Sequence, residues 1–193
     1  RFTGFCEPLQ AEGFDLGILH CANSAATLLR PEMRLGMCRF GIVSYGLAPS
    51  EEMMGCFPLE PVMSLRAAVE MVKEIGPGDT LSYGRKYRAG ETRRIATVSI
   101  GYADGLPRCL WQGGKAIVRG QLVPIAGRVC MDQLMLDVTR VPRVEAGQLV
   151  TLVGREGEAE ITWDQVAELS GSVSYERICA IRNRVPRVYV DEE

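Results

Sequence analysis

A single histidine, His20, limits the chemistry available to this 193-residue sequence. It argues against a His/Cys zinc cluster and leaves a Ser-His-Asp triad only one candidate base. Paired cysteines are also missing. Cys6, Cys21, Cys38, Cys56, Cys109, Cys130 and Cys179 are odd in number, scattered and without a CxxC pair. That spacing excludes a secreted disulfide framework and reads as reduced thiols, mostly small core residues, in a cytoplasmic protein. No apolar run approaches the length of a bilayer span, and no positive stretch precedes an apolar one at the N-terminus. A formal net charge of −2 gives no electrostatic footprint for nucleic acid. There are no internal repeats and no low-complexity tracts. What is present is the composition of a soluble globular protein, 47% hydrophobic and 24% charged, long enough for one or two domains.

Along the chain, residues 1–14 read as the tail of a helix and a loop. LGILHC (16–21) suits a buried parallel strand. Asn23 and Ser24 precede AATLLR, an N-cap signal for a short helix that Pro31 ends. A second buried run, MCRFGIVSYGL, covers 37–47, so residues 15–47 read strand, short helix, strand, one βαβ-like unit. APSEEMMGCFP (48–58) looks like a linker. Beyond it, long β-branched segments punctuated by Gly76-Pro77-Gly78-Asp79 and Arg119-Gly120 have the spacing of a mostly antiparallel β domain. The periodicity of 62–75 also permits a helix; strand is favoured. Thr162-Trp163-Asp164-Gln165 has the form of a capping box and predicts a helix over 163–169. RVPRVYV reads as a final strand.

Three features could carry chemistry. Asn23-Ser24 opens a short helix after one apolar run, and Gly41-Ile42 lies in the next. In (β/α) barrels, phosphate often sits at such a pair of loops, because free N–H groups and the helix dipole favour an anion. Plain N-capping and a tightly packed glycine explain the same residues. Arg39 is a charged residue inside an apolar run, which suggests either a structural salt bridge or a ligand partner. Tyr83, Tyr102 and Tyr175 sit at element ends, where packing with a satisfied hydroxyl and catalysis are both open.

Six segments, HCANSAATL, RFGIVSYGLAPS, SYGRKY, IATVSIGYADG, GRVCMDQ and YERICAIRNRVPRVY, resemble in this order blocks of the bacterial alanine racemases. These are fold-type III pyridoxal-phosphate enzymes, and the resemblance runs from about residue 15 to residue 190. It implies an α/β part followed by a mainly β part: the last two strands of a (β/α)8 barrel (1–47), the linker 48–58 and a C-terminal antiparallel β domain (59–193). It implies a homodimer in which the β domain completes the active site of a second subunit, acting on alanine, or on serine in racemases of the same fold.

Carried onto this sequence, the resemblance implies that Ser24, Gly41, Ile42 and Tyr175 hold the cofactor phosphate, with Asn23 in the same block. Arg39 would face the pyridine nitrogen, supported by His20. Tyr83 would be one of two catalytic bases. The backbone N–H of Met131 would bind the substrate carboxylate, and Tyr102 and Arg128 would line the entrance. Racemisation asks for bases on opposite faces of the reacting carbon, in the family a lysine and this tyrosine. An arginine at the pyridine nitrogen keeps the ring a weaker electron sink.

The family's Schiff-base lysine lies in a block resembling KANAYGHG, and Lys73, Lys86 and Lys115 lie in no such block. A barrel alone takes about 250 residues. The sequence is therefore expected to be a fragment, inactive by itself. The competing expectations are a non-catalytic β-domain module for folding or dimerisation, and a pyridoxal-phosphate carrier, against which residues 59–190 argue.

Overall fold

The computed structural model describes residues 1–190. It divides into two compact units, Arg1–Val62 and Met63–Glu193. No helix among the described residues is long and apolar enough to cross a membrane.

The first unit opens with helix α1 (Thr3–Ala11) and a turn. Helix α2 (Ser24–Leu29) begins where the N-cap signal placed it. Asn23 is extended, and its side chain accepts the Ala26 N–H at 3.0 Å, satisfying a donor that the helix leaves open. The helix stops at Arg30 because a residue before proline is pushed out of the helical region, and Pro31 opens a separate 3-10 turn, Pro31–Met33.

The two apolar runs expected as strands form no ladder. They meet at two backbone hydrogen bonds, from Gly36 N–H to the Leu19 carbonyl (3.1 Å) and from Arg39 N–H to the Ala22 carbonyl (3.0 Å). These bonds are three residues apart on each segment, whereas regular parallel pairing repeats every two. The second run is broken again by a 3-10 turn, Ile42–Tyr45, which ends at Gly46 with φ 73°. A Cβ on Gly46 would fall 1.6 Å from the Glu60 carbonyl oxygen, so only glycine fits there.

The second unit is antiparallel β. Its strands are β1 (Leu65–Ile75), β2 (Thr80–Leu81), β3 (Tyr87–Arg88), β4 (Arg93–Val98), β5 (Lys115–Val118), β6 (Gln121–Pro124), β7 (Leu134–Asp137), β8 (Leu149–Glu156) and β9 (Ala159–Ile161). The ambiguous segment is thus strand β1. The main sheet runs β6-β5-β8-β1-β4-β7, with β9 against β8, and β2 pairs with β3 in a separate hairpin. An Ile125–Leu136 bridge and an Ala126 N–H to Met135 carbonyl bond (2.8 Å) join the chain after β6 back to β7. The sheet therefore closes on itself, which removes the long free edges that invite wrong pairing. In the β5–β6 hairpin the two turn residues, Arg119 (φ 52°) and Gly120 (φ 71°), both take positive φ. That is the turn whose twist matches paired strands, and it is why Arg-Gly stands there.

The closed sheet buries Val69, Ile95, Val98, Ile117, Leu134 and Leu136 almost completely. A side cluster of Ile75, Leu81, Ala89, Ile95, Ala126 and Met135, with Tyr87 against it, fastens the β2–β3 hairpin to this core. Burying one such side chain stabilises by roughly 1.5–3 kcal/mol, so the hairpin is held by packing as well as by its two paired positions.

Helix α3 (Trp163–Leu169) carries the capping box read from the sequence. Thr162 Oγ accepts the Gln165 N–H (3.1 Å), and the Gln165 side chain accepts the Thr162 N–H (2.9 Å). Helix α4 (Ser174–Ala180) follows. The expected last strand, 184–190, is not one. Arg187 donates instead to the carbonyls of Ile181, Arg182 and Val185, while Val188, Tyr189 and Val190 are exposed. Alternation in sequence cannot supply a ladder partner, and the closed sheet offers little edge.

Candidate active site

The residues singled out in the first unit form one cluster. Ser24, the first residue of α2, is buried, and its Oγ accepts the Gly41 N–H at 2.9 Å. That bond joins the start of α2 to the start of the Ile42–Tyr45 turn. Ile42 is buried, and Ser44 Oγ donates back to the Gly41 carbonyl at 2.6 Å. The first N–H groups of α2 and of the 3-10 turn have no acceptor within their own helices, as at every helix start.

Arg39 is exposed, not buried as an apolar strand would have made it. Its Nη1 lies 2.8 Å from His20 Nδ1. A guanidinium only donates, so Nδ1 must be the accepting nitrogen, and the ring proton is left on Nε2. The bond fixes Arg39 from one side, and the exposed remainder of the guanidinium is available as donor.

In the second unit the site is built from the tip of the β2–β3 hairpin. Tyr83 opens a 3-10 turn, Tyr83–Arg85, and is 69% exposed. The residue before it, Ser82, has φ 58° and ψ −179°, a region that side chains other than glycine rarely enter. Its Oγ accepts the Arg128 N–H at 2.6 Å. Gly127 makes this approach possible: a Cβ there would sit 2.5 Å from Ser82 Oγ. On the other side of Tyr83, Arg128 Nη1 lies 3.1 Å from where a Cβ would stand on Gly84. The Arg128 guanidinium also lies over the Trp111 ring, 5.9 Å from its centroid.

The same loop continues to Met131, which is exposed. The Cys130 carbonyl accepts the Tyr102 N–H (3.0 Å), and the Met131 carbonyl accepts the Ala103 N–H (2.9 Å). This docks the Tyr102–Asp104 turn on the 130–131 loop. Buried Asp104 locks the turn by accepting the Gly101 N–H (2.8 Å) and Arg184 Nε (2.8 Å). The 128–131 loop is thus hydrogen-bonded to the residue before Tyr83 on one side and to the Tyr102–Asp104 turn on the other. Burial raises the Cys130 thiol above its ordinary range. Tyr175 lies in the first turn of α4, half exposed, with its phenol raised by partial burial.

Ser82, Gly101, Gly127, Asp104 and Trp111 were not singled out from the sequence. Only Asp104 left a signal, as a carboxylate three residues after a turn glycine. The others depend on approaches between segments far apart in the chain.

Comparison with known proteins adds the family. Residues 62–189 match the alanine racemase C-terminal domain, and residues 1–49 match the alanine racemase N-terminal domain. The chain is 45% identical to an alanine racemase of Desulfovibrio desulfuricans, over 99% of this chain and 51% of the relative. It is 42% identical to an alanine racemase of Clostridium tetani, over 98% of this chain and 50% of the relative. The crystal structure of alanine racemase from Bacillus anthracis with bound L-Ala-P superposes with a TM-score of 0.91 at 43% identity, covering 98% of this chain and 49% of that one. Alanine racemase from a D-cycloserine-producing Streptomyces lavendulae superposes with a TM-score of 0.88 at 35% identity, covering 100% and 50%. The chain spans about half the length of the curated relatives it matches.

Proposed function

Because the chain belongs to the alanine racemase family, we propose that it supplies the cofactor-facing arginine and one catalytic base of a pyridoxal-phosphate-dependent racemase that interconverts L- and D-alanine. The relatives' names favour alanine as the substrate over serine. The observation that supports this reading most is the exposed Tyr83 on a turn tied through the Ser82 hydroxyl to the Arg128 N–H, on the loop that continues to Met131 and docks the Tyr102–Asp104 turn.

The donor set fits the cofactor. Ser24 Oγ accepts from Gly41 and keeps its own proton to donate, beside the open N–H groups at two helix starts, as a phosphate needs. Asn23 caps α2 and holds that start in place. Arg39 can donate to an acceptor such as a pyridine nitrogen and cannot give up its proton, so it would hold that nitrogen unprotonated. When bound, the cofactor supplies the electron sink that acidifies the substrate's Cα proton.

This chain's part in the reaction is to move and orient. Tyr83 takes or returns the Cα proton on one face. The Met131 N–H binds the substrate carboxylate, Tyr102 and Arg128 shape the approach, and Tyr175 contributes to phosphate binding. The second base is a lysine from sequence resembling KANAYGHG, outside the three lysines here. We place the active enzyme in the cytoplasm, as a homodimer whose sites draw on both copies; all seven thiols are free, as a reducing compartment would leave them. The test is borohydride reduction of the pyridoxal-phosphate-loaded holoenzyme followed by peptide mapping. A single label on a lysine other than Lys73, Lys86 and Lys115 is expected, and a label on one of these three refutes the assignment.

A further inference from the structure

Tyr83 is exposed, so packing does not decide where its hydroxyl points. The backbone on either side sets its Cα–Cβ direction, and that backbone is unusual. Ser82 stands at φ 58° and ψ −179°, where glycine would be the unstrained choice. Yet the residue is serine, and its hydroxyl is used: it accepts the Arg128 N–H at 2.6 Å. Opposite it, Gly127 at φ 77° is a position where a Cβ would strike that same oxygen. An uncommon serine conformation and a glycine with no room for a Cβ therefore meet beside one hydrogen bond, and Tyr83 is the next residue along.

We propose that Ser82 is a positioning residue for Tyr83: its hydroxyl ties the hairpin tip to the Arg128 N–H and so fixes the direction of the tyrosine that serves the reaction. The inference rests on Tyr83 being a base of the proposed racemase. If the bond is lost, the tip is no longer tied to the 127–128 loop, and the phenol moves while the strands below keep their places. A displacement of about 1 Å at a reacting group is enough to cost on the order of 10²-fold in rate.

The variants are Ser82→Gly, which accepts the backbone angles without strain but removes the hydroxyl, and Ser82→Ala, which removes the hydroxyl and keeps the strain. Both are made in the holoenzyme, with Tyr83→Phe alongside. Three quantities are read: amide exchange at Arg128, alanine racemisation, and solvent deuterium entry at Cα of each enantiomer separately. Ser82→Gly should keep the fold and expose the Arg128 amide to faster exchange. Racemisation should fall by about 10²-fold. The enantiomer whose proton Tyr83 handles should exchange more slowly, and the other should be little changed. Ser82→Ala should be at least as impaired. Parent rates in Ser82→Gly, with or without a looser Arg128 amide, would overturn the positioning role. An equal loss of exchange in both enantiomers would overturn it too, because a general structural defect does not choose a face. If Tyr83→Phe itself retains full activity, the reading of Tyr83 fails, which is a separate result from failure at Ser82.

Discussion

Replacing Gly101 by alanine should destabilise the second unit although its backbone is extended, a conformation any residue adopts (φ −148°, ψ −161°). The reason is a close approach. A Cβ on Gly101 would lie 2.3 Å from the Met131 carbonyl oxygen and 2.4 Å from that of Cys130. Those atoms are backbone and cannot rotate away, so the Tyr102–Asp104 turn and the 130–131 loop must separate. Two hydrogen bonds cross that gap, from Tyr102 N–H to Cys130 (3.0 Å) and from Ala103 N–H to Met131 (2.9 Å). Losing both costs about 1–3 kcal/mol. Alanine stiffens the unfolded chain and returns about 0.4–1 kcal/mol, leaving a net loss of up to about 2.5 kcal/mol. For a protein of this size that lowers Tm by roughly 2–4 °C per kcal/mol. The assay is urea unfolding followed by circular dichroism, reading the midpoint with the slope unchanged. A midpoint equal to the parent's would refute the reasoning, since the turn would then have no need of glycine.

Two further outcomes follow from single contacts. Thr162→Ala removes the acceptor of the Gln165 N–H and should cost about 1 kcal/mol in the same unfolding assay. Tyr87 donates to Asp137 at 3.1 Å, and burial first, then the Asp137 charge and that bond, raise its phenol above the ordinary value near 10. The folded state therefore holds the proton more tightly than the unfolded chain. The stabilisation is fully present below the unfolded value and is lost as pH rises through the folded one. Tyr87→Phe should flatten this alkaline loss, and an unchanged stability profile between pH 9 and 12 would contradict it.

What the sequence revealed was local. Asn23 before AATLL, Thr162 three residues before Gln165, and Arg119-Gly120 between two β-rich runs each announce a cap or turn through a side chain's own backbone chemistry, and each formed as read. Apolar content alone predicts strands for the runs 16–21, 37–47 and 184–190, and none forms one. A ladder, however, depends on what lies beside a segment, and no composition rule states that. The candidate site divides the same way. Tyr83, Tyr102, Arg128 and Met131 were found through family blocks, while the Ser82–Arg128 bond, the Gly101 approach and the Arg39–His20 contact join residues 46, 30 and 19 positions apart and appear only in the fold.

The central claim, that Tyr83 is the base on one face, is tested most directly by Tyr83→Phe in the pyridoxal-phosphate-loaded holoenzyme, reading solvent deuterium at Cα of L- and D-alanine separately. The substitution keeps the ring on the same turn and removes only the hydroxyl. Racemisation should fall by at least about 10²–10⁴-fold in both directions, the range of general acid–base catalysis, because each direction needs both bases. One enantiomer should still exchange its proton with retained configuration through the lysine, and the other should exchange poorly. Racemisation near the parent rate, or equal exchange in both enantiomers, would contradict the assignment of Tyr83.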